Sequence, residues 1–426
     1  VRGGTFEDIR KRFFEKKRAK NFWFLWVSGV RRARPGYKET IVWLGEEMIV
    51  NQDALKAVID NAVATGAAPG IAGAVTDGQG TIFEYCAGTT AAGGGVPVTT
   101  NTLFWIASMT KAITSVAAMQ LVEQGKLTLD EPIGLLLPDL ANPQILENGT
   151  LRPAVQKMTL RHLLTHTAGF TYLFANAGLA DYVAAQGLEA SPGKRASIKM
   201  PILFEPGTRW EYGISTDWVG LAVEAASGLT LDVYFEKYIT GPLGMVDTVF
   251  LPDAGQQARR MQVHQRMPDN TLAALPPAPV ARPEFFSGGG GLNSTLADYT
   301  KFVRIFLNGG GGVISPKTVA EMSRNQIGDL RAGVIPSANP AVIAETDFYP
   351  GMDSKWGLGF LLNPERGRFG RAAGSLTWAG LPNTYFWIDP ATSIAAVLLM
   401  QTLPSGDPAS VKTLCGFEAA VYAAKR

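Results

Sequence analysis

Ser108 and Lys111 stand three residues apart in "FWIASMTKAITSVAAMQLVEQGKL", at the head of an apolar helical pattern that stops at Gly125. Residues three apart on a helix share a face, with about 5–6 Å between Cβ atoms, so the ammonium can reach the serine hydroxyl. Lysine is seldom fully buried because its charge loses hydration there. On a core helix it therefore needs a partner or a task. An ammonium in apolar surroundings is biased toward the neutral amine, which accepts protons, and while charged it stabilises a neighbouring anion. Serine needs such help to act as a nucleophile, and the unpaired N–H groups of a helix start favour the negative charge that attack develops. The plain alternative is a capping serine and a lysine stretched to solvent. Ser191 and Lys194 repeat the spacing across Pro192-Gly193, where no helix can hold the two side chains together, so spacing alone decides nothing.

The elements around the pair are legible from periodicity. "NQDALKAVIDNAVATG", residues 51–66, reads as an amphipathic helix, and "GIAGAVTDGQGTIFEYCAG" as two strands joined at Asp77-Gly78-Gln79-Gly80. From the opening helix to about Phe306 helical patterns alternate with loops. Beyond a long loop, roughly 325–355, "WGLGFLL", "GRFGRAAGSLTWAG", "TYFWID" and "SIAAVLLMQ" read as antiparallel strands, and "ASVKTLCGFEAAVYAA" as a closing helix. Strands at both ends with helices between predict an α+β fold: one antiparallel sheet from both chain ends, flanked by helices and interrupted by an inserted all-α domain. The expected division is a basic extension over 1–47, an α/β domain from 48–107 and 310–426, and a mainly helical domain over 108–309, with the active site between the last two. The runs Gly288–Gly291 and Gly309–Gly312 lack the context of a phosphate cradle and read as flexible turns.

The chain has 426 residues, 46% of them hydrophobic and 18% charged, enough to bury a large core. Its formal charge of +2 offers no field for nucleic acid or acidic lipid. Residues 1–47 carry 12 of the 39 basic and 6 of the 37 acidic residues, so the rest of the chain is net acidic. Phe22–Val30 is too short an apolar run for a bilayer, which needs about 20 residues, and no A-x-A-like cleavage site follows it. Stable membrane insertion is not expected. A bacterial cytoplasmic location is the expectation, with a periplasmic or secreted one left open. Cys86 and Cys415 are far apart in sequence and read as buried reduced thiols.

The words around Ser108 decide what its spacing does not. "FWIASMTKAITSVAAMQLVEQGKLTLDEPI", "LRHLLTHTAGF", "FEPGTRWEYG", "GPLGMVDTVF", "GGGGLNSTLADYTKF", "WGLGF" and "WAGLPNTYFWIDP" occur in that order across residues 51–423. Together they resemble the serine β-lactamase and penicillin-binding protein superfamily, its class C branch and the family VIII carboxylesterases above all. The resemblance implies Ser108 as nucleophile, Lys111 beneath it, and Tyr212, opening Tyr212-Gly213-Ile214, as the general base that later returns its proton to the leaving group. A phenol ionises near pH 10 unless a cation stands beside it, and Lys111 is the natural cation. The family's third element would be Trp378-Ala379-Gly380, the W-x-G form of the esterases, with the oxyanion hole made by the backbone N–H groups of Ser108 and Leu381.

Two departures bear on substrate. Ile214 stands where Y-x-N enzymes carry an amide, and Trp378 where lactamases carry a cationic or imidazole group, so charged amide substrates lose their anchors and an apolar wall replaces them. A small-molecule ester with a short neutral acyl group, with water as second substrate, fits better, and Ile214, Trp378, Ala379 and Gly380 are the expected substrate wall. The expectation is a carboxylesterase needing no cofactor and no metal, with weak β-lactam hydrolysis possible in principle. The alternatives are a class C-like β-lactamase, an acyltransferase, or a penicillin-binding protein that acylates and stops. No G-x-S-x-G elbow supports a Ser-His-Asp hydrolase. His162 and His166, four apart, lack the Glu of H-E-x-x-H and read as a packed, hydrogen-bonded pair. Asp298 reads as a helix-start residue.

Overall fold

In the computed structural model, residues 50–277 and 280–423 are described. They belong to one compact unit, Met48–Arg426. The basic extension expected over 1–47 lies outside the described residues. Among the described residues no helix is long and apolar enough to cross a membrane.

The chain opens with helix α1 (Gln52–Ala64), started by the Asn51 side chain, which accepts from Ala54 N. Strands β1 (Gly70–Thr76), β2 (Thr81–Ala91) and β3 (Gly94–Pro97) follow. Asp77 makes the turn between the first two by accepting from the N–H groups of Gln79 and Gly80. The Ser108 helix is α2 (Thr110–Glu123), the helix after Tyr212 is α3 (Ser215–Ser227), and α4 spans Leu296–Arg304. Five strands then return: β4 (Lys355–Trp356), β5 (Leu361–Leu362), β6 (Leu376–Gly380), β7 (Thr384–Asp389) and β8 (Ile394–Leu399), before the closing helix α5 (Pro408–Ala423). The sheet order is β4-β5-β6-β7-β8-β1-β2-β3, antiparallel at every step. The α+β architecture expected from sequence is what forms, with the first and last strands joined where β1 pairs with β8.

Helices cover both faces of this sheet, so its central strands read as unbroken apolar runs while still alternating by side. Ile71 and Val75 of β1, Ala396 and Leu398 of β8 and Trp387 of β7 pack with Leu55 and Ile59 of α1 and Phe417 and Val421 of α5. Ala72, Ala74, Val397, Leu399, Phe386 and Ile388 take the other side with Tyr299 and Phe302 of α4 and the α2 core. Helix α4 thus lies on the sheet although its residues fall within the 108–309 stretch.

The structure departs from the sequence reading in places. The span "GRFGRAAGSLTWAG" is a strand only over Leu376–Gly380. Its first half is a loop, because the Asn363 amide bonds the carbonyls of Glu365 and Ala372 and Arg371 is drawn into a buried pair with Glu418. The middle of the chain also holds small antiparallel pairs, Gln144–Glu147 with Thr150–Pro153 and His264–Arg266 with Leu272–Ala274. Cys86 and Cys415 are unpaired, as expected, but half-buried rather than buried.

Phe417 is wholly buried, edge-on to Trp387 and packed on Phe83. Phe417→Ala leaves a cavity where α5 meets the sheet and is expected to cost about 3–5 kcal/mol, read as a lowered midpoint in urea unfolding. A loss under about 1 kcal/mol would mean that α5 does not depend on this contact.

Candidate active site

Ser108 sits on a single tight turn, Ala107–Met109, that leads directly into α2. The strand before it, Phe104–Trp105, pairs with Asn293–Ser294. Ala107 is in the left-handed region at φ 43, a conformation that costs a residue with a Cβ about 1–3 kcal/mol and persists only where its surroundings enforce it. The enforcement is visible: Ile106 N donates to Leu292 O at 3.1 Å, Met109 N to Ile106 O at 3.0 Å, and the Tyr299 hydroxyl to Met109 O at 2.9 Å. Gly380 at the end of β6 packs on the Ile106 carbonyl so closely that a Cβ would overlap it, which brings Leu381 beside the serine turn. Ser108 and Leu381 line one cavity.

Lys111 is 1% exposed. Its Nζ donates to Ser108 Oγ at 3.2 Å, to the Tyr172 hydroxyl at 2.9 Å and to Gly289 O at 2.6 Å. Three donors on three acceptors is the pattern of an ammonium. The rings of Tyr212 and Tyr172 flank it, with centroids at 4.7 and 5.2 Å. The Gly289 peptide that accepts from Lys111 donates its N–H to Asp217 Oδ1 at 3.0 Å, and Ser287 Oγ donates to the same oxygen at 2.6 Å. Burial raises the Asp217 carboxyl above its ordinary range, and the Ser287 hydroxyl, the Lys111 charge and the Gly289 N–H each pull it back down. Gly288–Gly291, expected as a flexible turn, is therefore pinned. Thr114 Oγ1 donates to Gly288 O at 2.7 Å and Trp105 Nε1 to Gly290 O at 2.9 Å, besides the two bonds at Gly289. A Cβ at Gly289 would press on the Asp217 carboxylate at 2.9–3.0 Å, so glycine is what lets this backbone carry the charge relay.

Tyr212 is buried, and its hydroxyl accepts from Trp378 Nε1 at 3.2 Å. Trp378 is itself wedged between Phe348 and Trp356, with ring centroids at 4.9 and 4.6 Å. Tyr172 was not singled out by sequence reasoning. It falls two residues after "LRHLLTHTAGF", and nothing in its local spacing marks it. Burial, with Tyr212 and Asp217 adding, holds its hydroxyl protonated well above the usual phenol range.

Of the expected substrate wall, Ile214 lines the cavity, while Trp378, Ala379 and Gly380 stand behind it. The cavity has a volume of about 930 Å³ and is mostly apolar, extending from Ser108 past Tyr172 to Phe250, Arg260 and Phe285. Ser191 and Lys194 play no part at Ser108: Lys194 pairs with Glu284 at 3.0 Å. The two histidines serve separately. His162 closes a capping box with Thr159 on the helix Leu160–Leu164, whereas His166 packs against Trp210, Tyr212 and Trp356. Asp298 lies in the first turn of α4 and accepts from Asp247 N at 2.7 Å.

A sheet drawn from both chain ends and a buried lysine beneath a serine at a helix start define a protein of the serine β-lactamase and penicillin-binding protein superfamily. The family model described as "Beta-lactamase" matches residues 55–419, and the chain belongs to that family. It is 33% identical to monacolin J acid methylbutanoyltransferase of Aspergillus terreus over 77% of this chain and 83% of that one. It is 31% identical to lovastatin esterase of Penicillium rubens, over 80% of this chain and 91% of that one. A mutant of simvastatin synthase from Aspergillus terreus superposes with a TM-score of 0.76 at 29% identity, covering 89% of this chain and 99% of that one.

Burial and the Lys111 charge push His166 well below the usual histidine range. Below about pH 6.5 the unfolded chain binds a proton that the folded one refuses, so stability is level above that pH and falls beneath it, by up to about 1.4 kcal/mol per pH unit. Burial lowers His162 and His264 too, in the same direction, and Asp217 works oppositely. His166→Asn, which keeps a residue tolerant of the left-handed φ of 56, is expected to flatten the loss of stability between pH 7.5 and 5.5 in urea unfolding. An unchanged slope would assign the loss to other groups.

Proposed function

We propose that the chain processes carboxylic esters through an acyl-enzyme on Ser108, passing the acyl group to water or to the hydroxyl of a second substrate seated in the cavity. The observation that carries this reading is the Ser108–Lys111 contact at 3.2 Å opening into a mostly apolar space of about 930 Å³. Ser108 Oγ attacks the ester carbonyl carbon, its proton passes to Tyr212, and the oxyanion is held by the N–H groups of Ser108 and Leu381. The alkoxide leaves with the proton from Tyr212, and the incoming water or alcohol repeats the steps in reverse. Lys111, bonded to Ser108 Oγ and set against the Tyr212 ring, stabilises the negative charge that develops as the proton is passed. Tyr172, kept neutral, positions Lys111. Trp378 holds the Tyr212 hydroxyl in place.

The similarity to a methylbutanoyltransferase and to an esterase supports acyl transfer from esters without choosing the acceptor. The size of the cavity favours a second organic substrate over water alone. Ile214, where an amide would hold a lactam side chain, supports esters over β-lactams. We retain as part of this reading the division into an α/β domain (48–107 and 310–426) and a mainly helical one (108–309), with Ser108 at their boundary.

Ser108→Ala and Lys111→Ala are each expected to abolish hydrolysis of p-nitrophenyl butyrate. Tyr212→Phe should lower kcat about 10²–10⁴-fold, and Tyr172→Phe, which removes one acceptor from Lys111, should lower it less. Adding a bulky alcohol should raise p-nitrophenol release and yield its butyrate ester. Intact mass after butyrate ester, and separately after a cephalosporin, distinguishes turnover from a trapped adduct. An adduct on Ser108 that persists with the simple ester would overturn the reading.

A further inference from the structure

Among the described residues, Arg260 is the one basic side chain lining the cavity, and Asp217 the one acidic side chain. Asp217 is occupied by Ser287 and Gly289. Arg260 is not: among the described residues its guanidinium has no hydrogen bond, ion pair or ring contact. Neighbouring arginines differ. Arg259 is tied to Asp247 and Asn101, and Arg266 to Asp407 and the carbonyls of Gly66, Ala67 and Asn270. Half-burial of the Arg260 side chain depresses its proton affinity with nothing nearby to compensate. A desolvated guanidinium without a partner is unfavourable unless something else fills its five donors.

The backbone aims it. Leu103 pairs with Arg260, Leu103 N donating to Arg259 O at 3.0 Å and Met261 N to Leu103 O at 2.9 Å. Leu103 is five residues, hence at most about 18 Å of chain, from Ser108. On the other side of the same segment Trp105 pairs with Asn293. Asn293 is 4% exposed and lines the same cavity, and its amide oxygen has no partner among the described residues. A half-buried guanidinium without a protein partner and a buried amide oxygen without one thus flank the short strand that leads into Ser108, and the rest of the lining is mostly apolar.

We propose that Arg260 recognises a carboxylate carried by an otherwise apolar substrate, at the far end of the cavity from the ester that Ser108 attacks. The guanidinium fork matches a carboxylate in a way that no neutral ester can. This rests on the acyl-enzyme reading for the orientation of the substrate, and on the cavity alone for the binding itself. The carboxylate can belong to the acyl part or to the alcohol part.

Binding to full-length Ser108→Ala enzyme, which does not turn over, separates these cases by calorimetry. The probes are two matched pairs. Mono-p-nitrophenyl suberate and its methyl ester place the charge on the acyl side, and 8-acetoxyoctanoate and its methyl ester on the alcohol side. One pair is expected to show a preference for the free carboxylate of roughly ten- to a hundredfold in Kd. Arg260→Gln should abolish that ratio, and Arg260→Lys should keep part of it. Unfolding midpoints of both variants are expected at or above the parent's, since no contact is lost. No preference in either pair, or one that survives Arg260→Gln, overturns the proposal. A p-nitrophenyl butyrate assay on the parent chain tests the acyl-enzyme reading separately: silence there with an Arg260-dependent preference intact would fail that reading and leave this one standing.

Discussion

The ammonium of Lys111 is the group around which the site is arranged. A charge this deeply buried is costly unless every donor is met, and among the described residues no carboxylate pairs with it. Its three bonds go to a serine hydroxyl, a phenol and a peptide carbonyl, each from a different part of the chain. The counter-charge, Asp217, is one peptide away through Gly289. That indirect pairing matters chemically. A carboxylate in contact would neutralise the ammonium, whereas one relayed through a peptide leaves its field available to Ser108 and Tyr212. The same requirement fixes Gly288 and Gly289, where a Cβ would press on Thr114 of α2 and the Thr216 carbonyl, and on the Asp217 carboxylate.

The sheet serves this arrangement by making the Ser108 turn rigid. Gly380 at the end of β6 rests on Ile106, and Tyr299 on α4, packed against β7 through Phe386, ties down Met109. The left-handed Ala107 between them is held from both sides. Strain of this kind survives only in a frame that cannot relax. A frame with both sheet faces covered, and the two chain ends locked together at β1 and β8, is such a frame.

How much of this could be read from sequence follows the range of the interaction concerned. Helix α1, strands β1, β2, β7 and β8, and α5 are written in local periodicity, and the turn between β1 and β2 in Asp77. The Ser108–Lys111 pair is likewise local, three residues on one helix. The loop at Gly367–Ser375 was misread because its fate depends on Asn363 and Glu418, distant partners that leave no trace in its own pattern. Gly288–Gly291 was misread for the same reason: composition said flexible, and the long-range acceptors for Lys111 and Thr114 made it fixed. Tyr172 and Asp217 complete the site from 61 residues and one peptide relay away. Such contacts carry no spacing rule, and only folding brings them together.

Trp378 occupies a different position from the one its residue type implies. As a residue type at the third family element it suggested an apolar wall. In place, its indole N–H holds the Tyr212 hydroxyl, and its ring is enclosed by Phe348 and Trp356 rather than facing the cavity. On the proposed mechanism its contribution is therefore to position the Tyr212 hydroxyl rather than to contact the substrate. The side chains that do line the space include Ile214, Arg260 and Asn293, so on the proposed function it is these that meet the substrate. Under the proposal made for Arg260, the cation absent at Trp378 is supplied instead by a guanidinium whose backbone is bridged to Leu103, just ahead of the Ser108 turn.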